Sequence, residues 1–195
     1  QNKYSNIQYI RTEKRETIYA AWNRGIEAAH GKYITNANTD DRHRPEAFEQ
    51  MTATLDVRQD VALVYADTAV TDRENESFNT GRIIGHFRWP EFDPELLFRV
   101  CYVGPQPMWR RDLHERYGLF DPEFLSAGDY EFWLRIAHTE IFLHISEVLG
   151  LYLLSPGGME HQNRERSLRE SEKARKRHWQ SAWGRRPKSG GTFLI

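Results

Sequence analysis

Two acidic groups in this sequence combine residue types and spacing that suit catalysis or metal binding. The first is Asn38-Thr39-Asp40-Asp41, which two residues separate from the segment 32–35. That segment predicts a strand, and ligands of open α/β sheets bind in the crevice beyond the carboxyl ends of the strands. Two adjacent carboxylates beside an amide suit a hard divalent cation such as Mg²⁺ or Mn²⁺, which prefers oxygen ligands. Asp40 and Asp41 are therefore candidate metal ligands; the alternative is a solvated acidic turn in which one aspartate caps a helix.

The second group is Gly128-Asp129-Tyr130-Glu131, at the start of a predicted helix over 128–138. A carboxylate in the first turn of a helix is favoured by the free backbone N–H groups there. Held in this way, Asp129 can accept a proton from a hydroxyl group. The alternative is a helix cap without chemistry. Glu131 is expected to pair with Arg135, four residues further along the helix.

Five other residues are weaker candidates for a place in the site. Arg110 and Arg111 could bind a phosphate or a sugar, or they could form a surface pair beside a packed Trp109. Trp89 is the best candidate for an exposed aromatic platform under an acceptor. His161 could reach a metal or a diphosphate, although a solvent-exposed histidine is the favoured alternative. Asp67 either faces the same cleft or starts a turn.

Apolar periodicity predicts alternating strands and helices in the first third of the chain. The expected elements are a strand at Ile7–Ile10, a helix over 17–29, a strand at 32–35, a helix that starts at Pro45 and carries Phe48, Met51 and Leu55, and a strand at 61–66. The last of these is almost continuously apolar, as expected for a strand that is covered on both faces. This alternation predicts an α/β fold with a mainly parallel sheet.

The rest of the chain gives a less regular pattern. Residues 71–94 predict loops with one hairpin. The expected elements that follow are a short helix at 93–98, extended chain at 104–107, the helix over 128–138, two strands at 141–145 and 148–154, a charged helix over 164–183 and a flexible tail. The basic stretch 164–188 is expected to be a solvated helix, with a domain contact or a weak anchor to acidic lipid as the alternatives.

Composition excludes several classes of protein. With 39% apolar and 28% charged residues in 195, the chain is typical of a soluble globular protein, and a net charge of −1 argues against nucleic-acid binding. Its single cysteine, Cys101, excludes an intrachain disulfide. The longest apolar stretch, 141–154, is shorter than the roughly 20 residues that span a bilayer. We expect a cytoplasmic location, with the inner face of the membrane as an alternative because residues 160–195 are basic.

Two groups of motifs carry a resemblance to a known family. The sequence contains Asn23-Arg24-Gly25-Ile26, then Ala29-His30-Gly31-Lys32-Tyr33-Ile34, then Asp40-Asp41. Further along are Gly118-Leu119-Phe120-Asp121 and Gly128-Asp129-Tyr130-Glu131-Phe132-Trp133-Leu134-Arg135. In this order the motifs resemble those of family 2 glycosyltransferases with the GT-A fold, and the resemblance extends from Arg15 to Leu154.

The resemblance implies roles for individual residues. Asp40 and Asp41 would bind a divalent cation, Mn²⁺ or Mg²⁺, and the diphosphate of a nucleotide-sugar donor, with Asn38 near the ribose. Asn38 replaces the usual first aspartate of the motif and brings no charge. Asp129 would be the catalytic base of an inverting transfer. The implied substrates are a UDP-sugar and a glycan acceptor, in polysaccharide biosynthesis of the cell envelope.

The resemblance also sets the expected domain organisation. Residues 1–155 would be the larger, C-terminal part of a GT-A-like, Rossmann-related domain, with a mainly parallel sheet flanked by helices. Residues 156–195 would be a basic, helical extension with a tail. The family's N-terminal segment, which holds the nucleotide base, has no counterpart here. The chain would then be an excerpt of a longer protein, with further domains, or a degenerate member.

Two other functions stay open on sequence grounds. A nucleotidyltransferase also places an acidic pair on an α/β sheet, but its Gly-rich, basic loop is not present in this sequence. A non-catalytic carbohydrate- or protein-binding module would retain the aspartates without using them.

Overall fold

In the computed structural model, which describes residues 6–78, 81–155 and 163–183, helices pack on a six-stranded sheet. The helices of these residues are α1 (Ile18–Ala28), α2 (Ala47–Val57), α3 (Pro94–Arg99), α4 (Leu113–Tyr117), α5 (Gly128–Ile136) and α6 (Arg164–Trp183). The strands are β1 (Tyr33–Thr35), β2 (Arg42–His43), β3 (Val61–Thr71), β4 (Gly85–Phe87), β5 (Met108–Arg110) and β6 (Ile141–Leu153).

The sheet is mixed, with its long central ladder parallel. Its order is β1-β5-β3-β6-β2, and β4 pairs with β3 beside this path. β3 and β6 are parallel over nearly their whole length, whereas the shorter ladders are antiparallel. The GT-A-like α/β architecture expected from the sequence is therefore present. Among the described strands β1 pairs only with β5, so its other edge is open.

β3 separates the two apolar clusters of the core. All eleven of its residues are buried, which confirms the expectation of a strand covered on both faces. Leu63 and Tyr65 pack toward α5 and the aromatic residues around it. Val61 and Val64 pack toward α2, against Met51 and the other apolar residues of that face. Burial on both sides explains why this segment lacks polar alternation.

Several expected elements differ in the structure. The strand expected at Ile7–Ile10 is wrong: these residues are irregular and largely exposed, because no described strand pairs with them. The two late strands are one long strand, β6, which is irregular opposite Ala66 and Asp67. Pro45 precedes α2 instead of opening it, and Phe48 is 46% exposed. The hairpin expected in 71–94 corresponds to β4, whereas β5 and α4 are short elements that periodicity did not indicate.

Helix α6 packs on the domain and is not simply solvated. Ala174 is fully buried, and His178 is 9% exposed, so the expectation of a solvated helix is wrong for the face that carries them. That face lies on α5. The domain boundary expected at residue 155 stays a prediction.

The contact between α5 and α6 is organised around one buried carboxylate. Glu131 of α5 is 1% exposed and pairs with Arg135, as expected, and with His178, whose Nε2 lies 2.7 Å from Oε1 of Glu131. Burial alone raises the pKa of Glu131, but the hydrogen bonds from His178 and Arg135 outweigh burial and lower this pKa below its ordinary value. The ionised form of Glu131 therefore stabilises the fold.

We expect Glu131→Gln to lower the free energy of unfolding by about 3 kcal/mol at neutral pH, because Arg135 and His178 lose their buried partner. The folded-state pKa of Glu131 is below its unfolded value. Its contribution is therefore complete above the unfolded pKa and is lost as pH falls through the folded pKa. Urea unfolding of wild type and variant between pH 7 and pH 3 measures this difference.

Glu165→Gln is the matched control, because its pair with Arg169 is exposed on α6. A Glu131 variant whose destabilisation is as large at pH 3 as at pH 7 would contradict this account.

Candidate functional site

The acidic loop, residues 36–41, connects the carboxyl end of β1 to β2. β2 is fixed in turn on β6, where Arg42 pairs with Leu151 and His43 with Gly150. The loop is therefore held on both sides by the sheet, at the edge where the sequence placed a ligand site.

The two aspartates of the loop have different surroundings. Asp41 is 6% exposed; its Oδ2 accepts a hydrogen bond from Nδ2 of Asn38 at 2.9 Å, and its Oδ1 accepts one from the backbone N–H of Leu153 at 3.1 Å. Burial raises the pKa of Asp41, and the hydrogen bond from Asn38 opposes this effect only in part. Asp40 is exposed. Asp41 therefore anchors the loop to β6, and Asp40 is the carboxylate open to a ligand.

Three polar side chains that sequence reasoning missed hold the backbone around the loop. Asn36 donates from Nδ2 to the carbonyl of Pro105 at 2.6 Å, and His43 lies with Nε2 2.9 Å from the carbonyl of Asn36. Gln106 donates from Nε2 to the carbonyl of Arg42 at 2.9 Å. The two prolines beside Gln106 were the available signal, because they fix the extended segment that faces the loop.

Asp129 lies in the first turn of α5, as expected. Its Oδ1 accepts a hydrogen bond of 2.9 Å from the hydroxyl of Tyr19, a buried residue of α1. Burial raises the pKa of Tyr19 well above its ordinary value, and the charge of Asp129 raises it further, so Tyr19 stays a donor. A Cβ on Gly128 would meet the Tyr19 ring at 2.7 Å, which explains why a glycine starts α5. The Tyr19 hydroxyl therefore orients this carboxylate.

The direction of α1 relative to β1 indicates that Asp129, through its contact with Tyr19, lies toward the same end of the sheet as the acidic loop. A short turn joins α1 to β1, so the first turn of α1, with Tyr19, lies back at the carboxyl end of β1. Next to Tyr19 on α1, Trp22 lines a groove of about 470 Å³ together with Asn36 and Ala37. The groove links the helix that orients Asp129 to the loop that carries Asp40.

Arg110 and Arg111 lie at the opposite end of β1. Arg110 pairs with Tyr33 at the start of that strand and donates to carbonyls at the end of α2 and the start of β3. Arg111 donates to the carbonyl of Gly31 and pairs with Glu115. The structure does not bring these arginines to the acidic loop. Their contacts favour the packing alternative, because each guanidinium satisfies backbone carbonyls far from Asp40.

Trp89 and Asp67 are neighbours in the structure. Trp89 is partly buried, packs on Gly104 and Phe87, and donates its backbone N–H to Asp67. Asp67 is within β3, neither in a turn nor open to the cleft: it is 3% exposed and pairs with Arg88 and His144. His161 lies outside the described residues.

The oxygen atoms of the acidic loop fit a hard cation only if water and a bound phosphate group supply the other ligands of the ion. Within the described ranges no group of three or more His, Cys, Asp or Glu side chains is placed to hold a metal ion. Asp40, Asp41 and Asn38 offer two carboxylates and an amide, and hydrogen bonds already engage one oxygen of Asn38 and both of Asp41. Such a set fits an ion that completes its shell with water and phosphate oxygens.

Comparison with known proteins identifies the family. Residues 1–118 match the sequence profile described as Glycosyl transferase family 2. The chain belongs to glycosyl transferase family 2. The matched residues contain the acidic loop and end before Asp129, so the assignment of Asp129 rests on its geometry and on the resemblance of its motif.

Relatives of this family 2 chain cover most of it but are longer. The uncharacterised glycosyltransferase YwdF of Bacillus subtilis is 27% identical over 78% of the chain and 56% of the relative. Chondroitin synthase of Escherichia coli is 24% identical over 76% of the chain and 21% of the relative. An uncharacterised protein of Sinorhizobium fredii, y4gI, is 28% identical over 81% of the chain and 17% of its own length. The chain thus spans between about a sixth and somewhat over half of these relatives.

A solved structure shows the same fold. Residues 1–349 of S. aureus TarS superpose with a TM-score of 0.59 at 12% identity, over 86% of this chain and 46% of that one. At this identity the likeness concerns the fold alone. Among the described residues no helix has the length and apolar character needed to cross a membrane.

We expect Gly150→Ala to destabilise the protein by about 1–3 kcal/mol, as overpacking does in a filled interior. The added methyl group would collide with Oε1 of Gln106, whose Nε2 holds the carbonyl of Arg42 beside the acidic loop. Because Gln106→Ala removes the group that is struck, Gly150→Ala should cost less in that background. A double-mutant cycle by chemical unfolding measures the coupling. Additive costs would show that the two side chains do not meet.

Proposed function

We propose that this family 2 domain transfers a sugar from a nucleotide-diphosphate sugar to a hydroxyl of a glycan acceptor, with inversion at the anomeric carbon and assistance from a divalent cation. The observation that carries the proposal is the placement of Asp129 and the acidic loop at one end of the sheet. The family membership of the chain supports the reaction class.

The acidic loop is the proposed donor site. Asp40, exposed at the carboxyl end of β1, binds the cation and through it the diphosphate. Asp41 keeps the loop in place through Asn38 and Leu153 and offers the cation its remaining lone pairs. When bound, the cation offsets the negative charge that develops on the departing diphosphate. Asn38 is the proposed contact with a ribose hydroxyl of the donor.

Asp129 is the proposed general base. In the transfer the acceptor oxygen forms a bond to the anomeric carbon, the bond from that carbon to the diphosphate oxygen breaks, and the hydroxyl proton passes to Asp129. The Tyr19 hydroxyl fixes the orientation of the carboxylate through Oδ1. A single attack from the face opposite the diphosphate inverts the anomeric centre, and a base positioned on that face is what this step needs.

We propose a polysaccharide as acceptor, which the names of two relatives support, and a UDP-sugar as donor. The relatives include proteins named chondroitin synthase in Escherichia coli and hyaluronan synthase in Pasteurella multocida. Because Trp89 is partly buried, the proposed surface for stacking on an acceptor sugar is Phe87, which is 36% exposed and whose ring lies 5.1 Å from that of Trp89.

Replacement of Asp129 by Asn should reduce transfer at least a hundredfold, within the range attributed to general base catalysis, and leave donor binding nearly unchanged. Nucleoside diphosphate release from a panel of UDP- and GDP-sugars, with glycan oligosaccharides as acceptors, measures transfer by the full-length protein that contains this chain. Asp112→Asn is the matched control, because Asp112 also starts a helix but lies at the other end of β1. Undiminished turnover in Asp129→Asn would remove the assignment, and release of pyrophosphate would favour a nucleotidyltransferase.

In the wild type we expect one nucleotide to raise the melting temperature only when a divalent cation is present. Asp40→Asn should abolish this rise. The physical reason is the loss of the exposed carboxylate that binds the cation. The measurement is thermal unfolding with UDP, GDP, TDP and CMP, each with and without Mn²⁺. Asp60→Asn is the control, because Asp60 is an exposed carboxylate paired with Arg58 between α2 and β3. A nucleotide shift that is equal with and without Mn²⁺ would contradict the role of the cation.

A further inference from the structure

The start of α5 lacks a side-chain cap of its own. Its N-cap residue is Ala127, which cannot accept a hydrogen bond through its side chain, and no side-chain cap bond is present there. Alanine is among the least favourable residues at this position. The helix that carries Asp129 therefore begins without the local device that usually fixes a helix start.

A carboxylate from α6 takes over that task. Glu170 accepts hydrogen bonds from three consecutive backbone N–H groups: Leu125 at 3.1 Å to both oxygens, Ser126 at 2.8 Å and Ala127 at 3.0 Å. The hydroxyl of Ser126 also contacts that of Ser167, one turn earlier on α6. Glu170 is more than forty positions away in sequence, so the contact is purely tertiary.

This arrangement suits a carboxylate on physical grounds. Successive N–H groups that point to one spot form a concave site for an anion, and the amino end of a helix adds a partial positive charge. Ala127 is 5% exposed, so its N–H would be left without a partner in the protein interior if Glu170 were removed. The three residues 125–127 are thereby fixed relative to α6.

Two further side-chain contacts along α6 hold this helix against the same segment. Arg177 pairs with Asp121 at 2.6 Å, upstream of the turn, and His178 pairs with Glu131, within α5. Glu170 is thus one of three contacts that bracket the segment from 121 to 131. Its contact at Ala127 lies two residues before Asp129, and the contact of His178 with Glu131 lies two residues after it.

We infer that Glu170 is a positioning residue for the transfer reaction: its carboxylate fixes the backbone at the start of α5 and so sets the direction of the Asp129 side chain. This inference rests on the proposed function of Asp129 as general base. Glu170 touches neither substrate nor reacting atoms in this role, because it acts through the backbone of residues 125–127.

The test is a series at position 170 in the full-length protein. We expect Glu170→Ala to lower kcat at least tenfold per folded molecule, with the KM for the donor within twofold of wild type. Glu170→Gln should restore part of kcat, because its amide oxygen can still accept from the turn. Glu172→Ala is the matched control, since Glu172 is on the same helix and pairs only with Lys176 in the described contacts. Nucleoside diphosphate release from UDP- and GDP-sugars gives kcat and KM, and circular dichroism melting gives the folded fraction.

Amide hydrogen exchange provides a readout that does not depend on activity. In Glu170→Ala the amides of residues 125–130 should exchange at least tenfold faster, and in Glu172→Ala they should exchange as in wild type. Unchanged exchange in Glu170→Ala would overturn the inference. Faster exchange with wild-type kcat per folded molecule would also overturn it, because Glu170 would then only stabilise the turn. Loss of transfer in the wild type itself would instead contradict the proposed function, and the exchange result would still decide whether Glu170 fixes the start of α5.

Discussion

The parallel pairing of β3 with β6 is the constraint on which the other parts of the structure depend. β3 is buried along its whole length, so its position is fixed by apolar packing on both faces. Beyond the irregular register at Ala66 and Asp67, β6 continues as a partner of β3 and also pairs with β2. In this part of β6 the N–H of Leu153 binds Asp41. The acidic loop is therefore held by the sheet core as well as by the hydrogen bond within the loop.

Burial separates two adjacent carboxylates into different tasks. Asp41 gives up hydration and receives hydrogen bonds from Asn38 and Leu153 in exchange, which fixes the loop at the cost of a raised pKa. Asp40, one residue earlier, stays exposed and keeps its oxygens for a ligand. The asparagine that replaces the family's first aspartate contributes to this order, because its Nδ2 can donate to Asp41 whereas a carboxylate would repel it. Asn38 therefore lacks the negative charge of an aspartate at this position but adds a hydrogen bond within the loop.

The sequence predicts those parts of the fold whose signal is local. The apolar run of β3 and the helical spacing of α1 and α5 mark buried faces directly, and the acidic loop follows a strand whose end can be located. Contacts between distant segments leave no such mark. Arg110 looks like a ligand-binding residue until the carbonyls of α2 and β3 are seen around it. The sequence places Asp67 at the end of a strand. It does not show that Asp67 is buried and paired, because its partners, Arg88 and His144, are far away in sequence. Ile7–Ile10 has strand composition, but a strand also needs a partner, and composition does not supply one.

The C-terminal helix shows why charge composition is a poor guide to the role of a segment. Ten Lys and Arg against four Asp and Glu in 160–195 suggest a solvated or surface-binding helix. A glutamate and a histidine make the contacts that attach α6 to the segment around the start of α5. Glu170 binds the turn before α5, and His178 contacts the buried Glu131. In the part of α6 whose side chains the structure describes, most Lys and Arg side chains are exposed, and Arg177 pairs with Asp121. Since α5 carries the proposed base, the geometry of the site extends past residue 118, where the family match ends, and depends on α6, which also lies beyond that match.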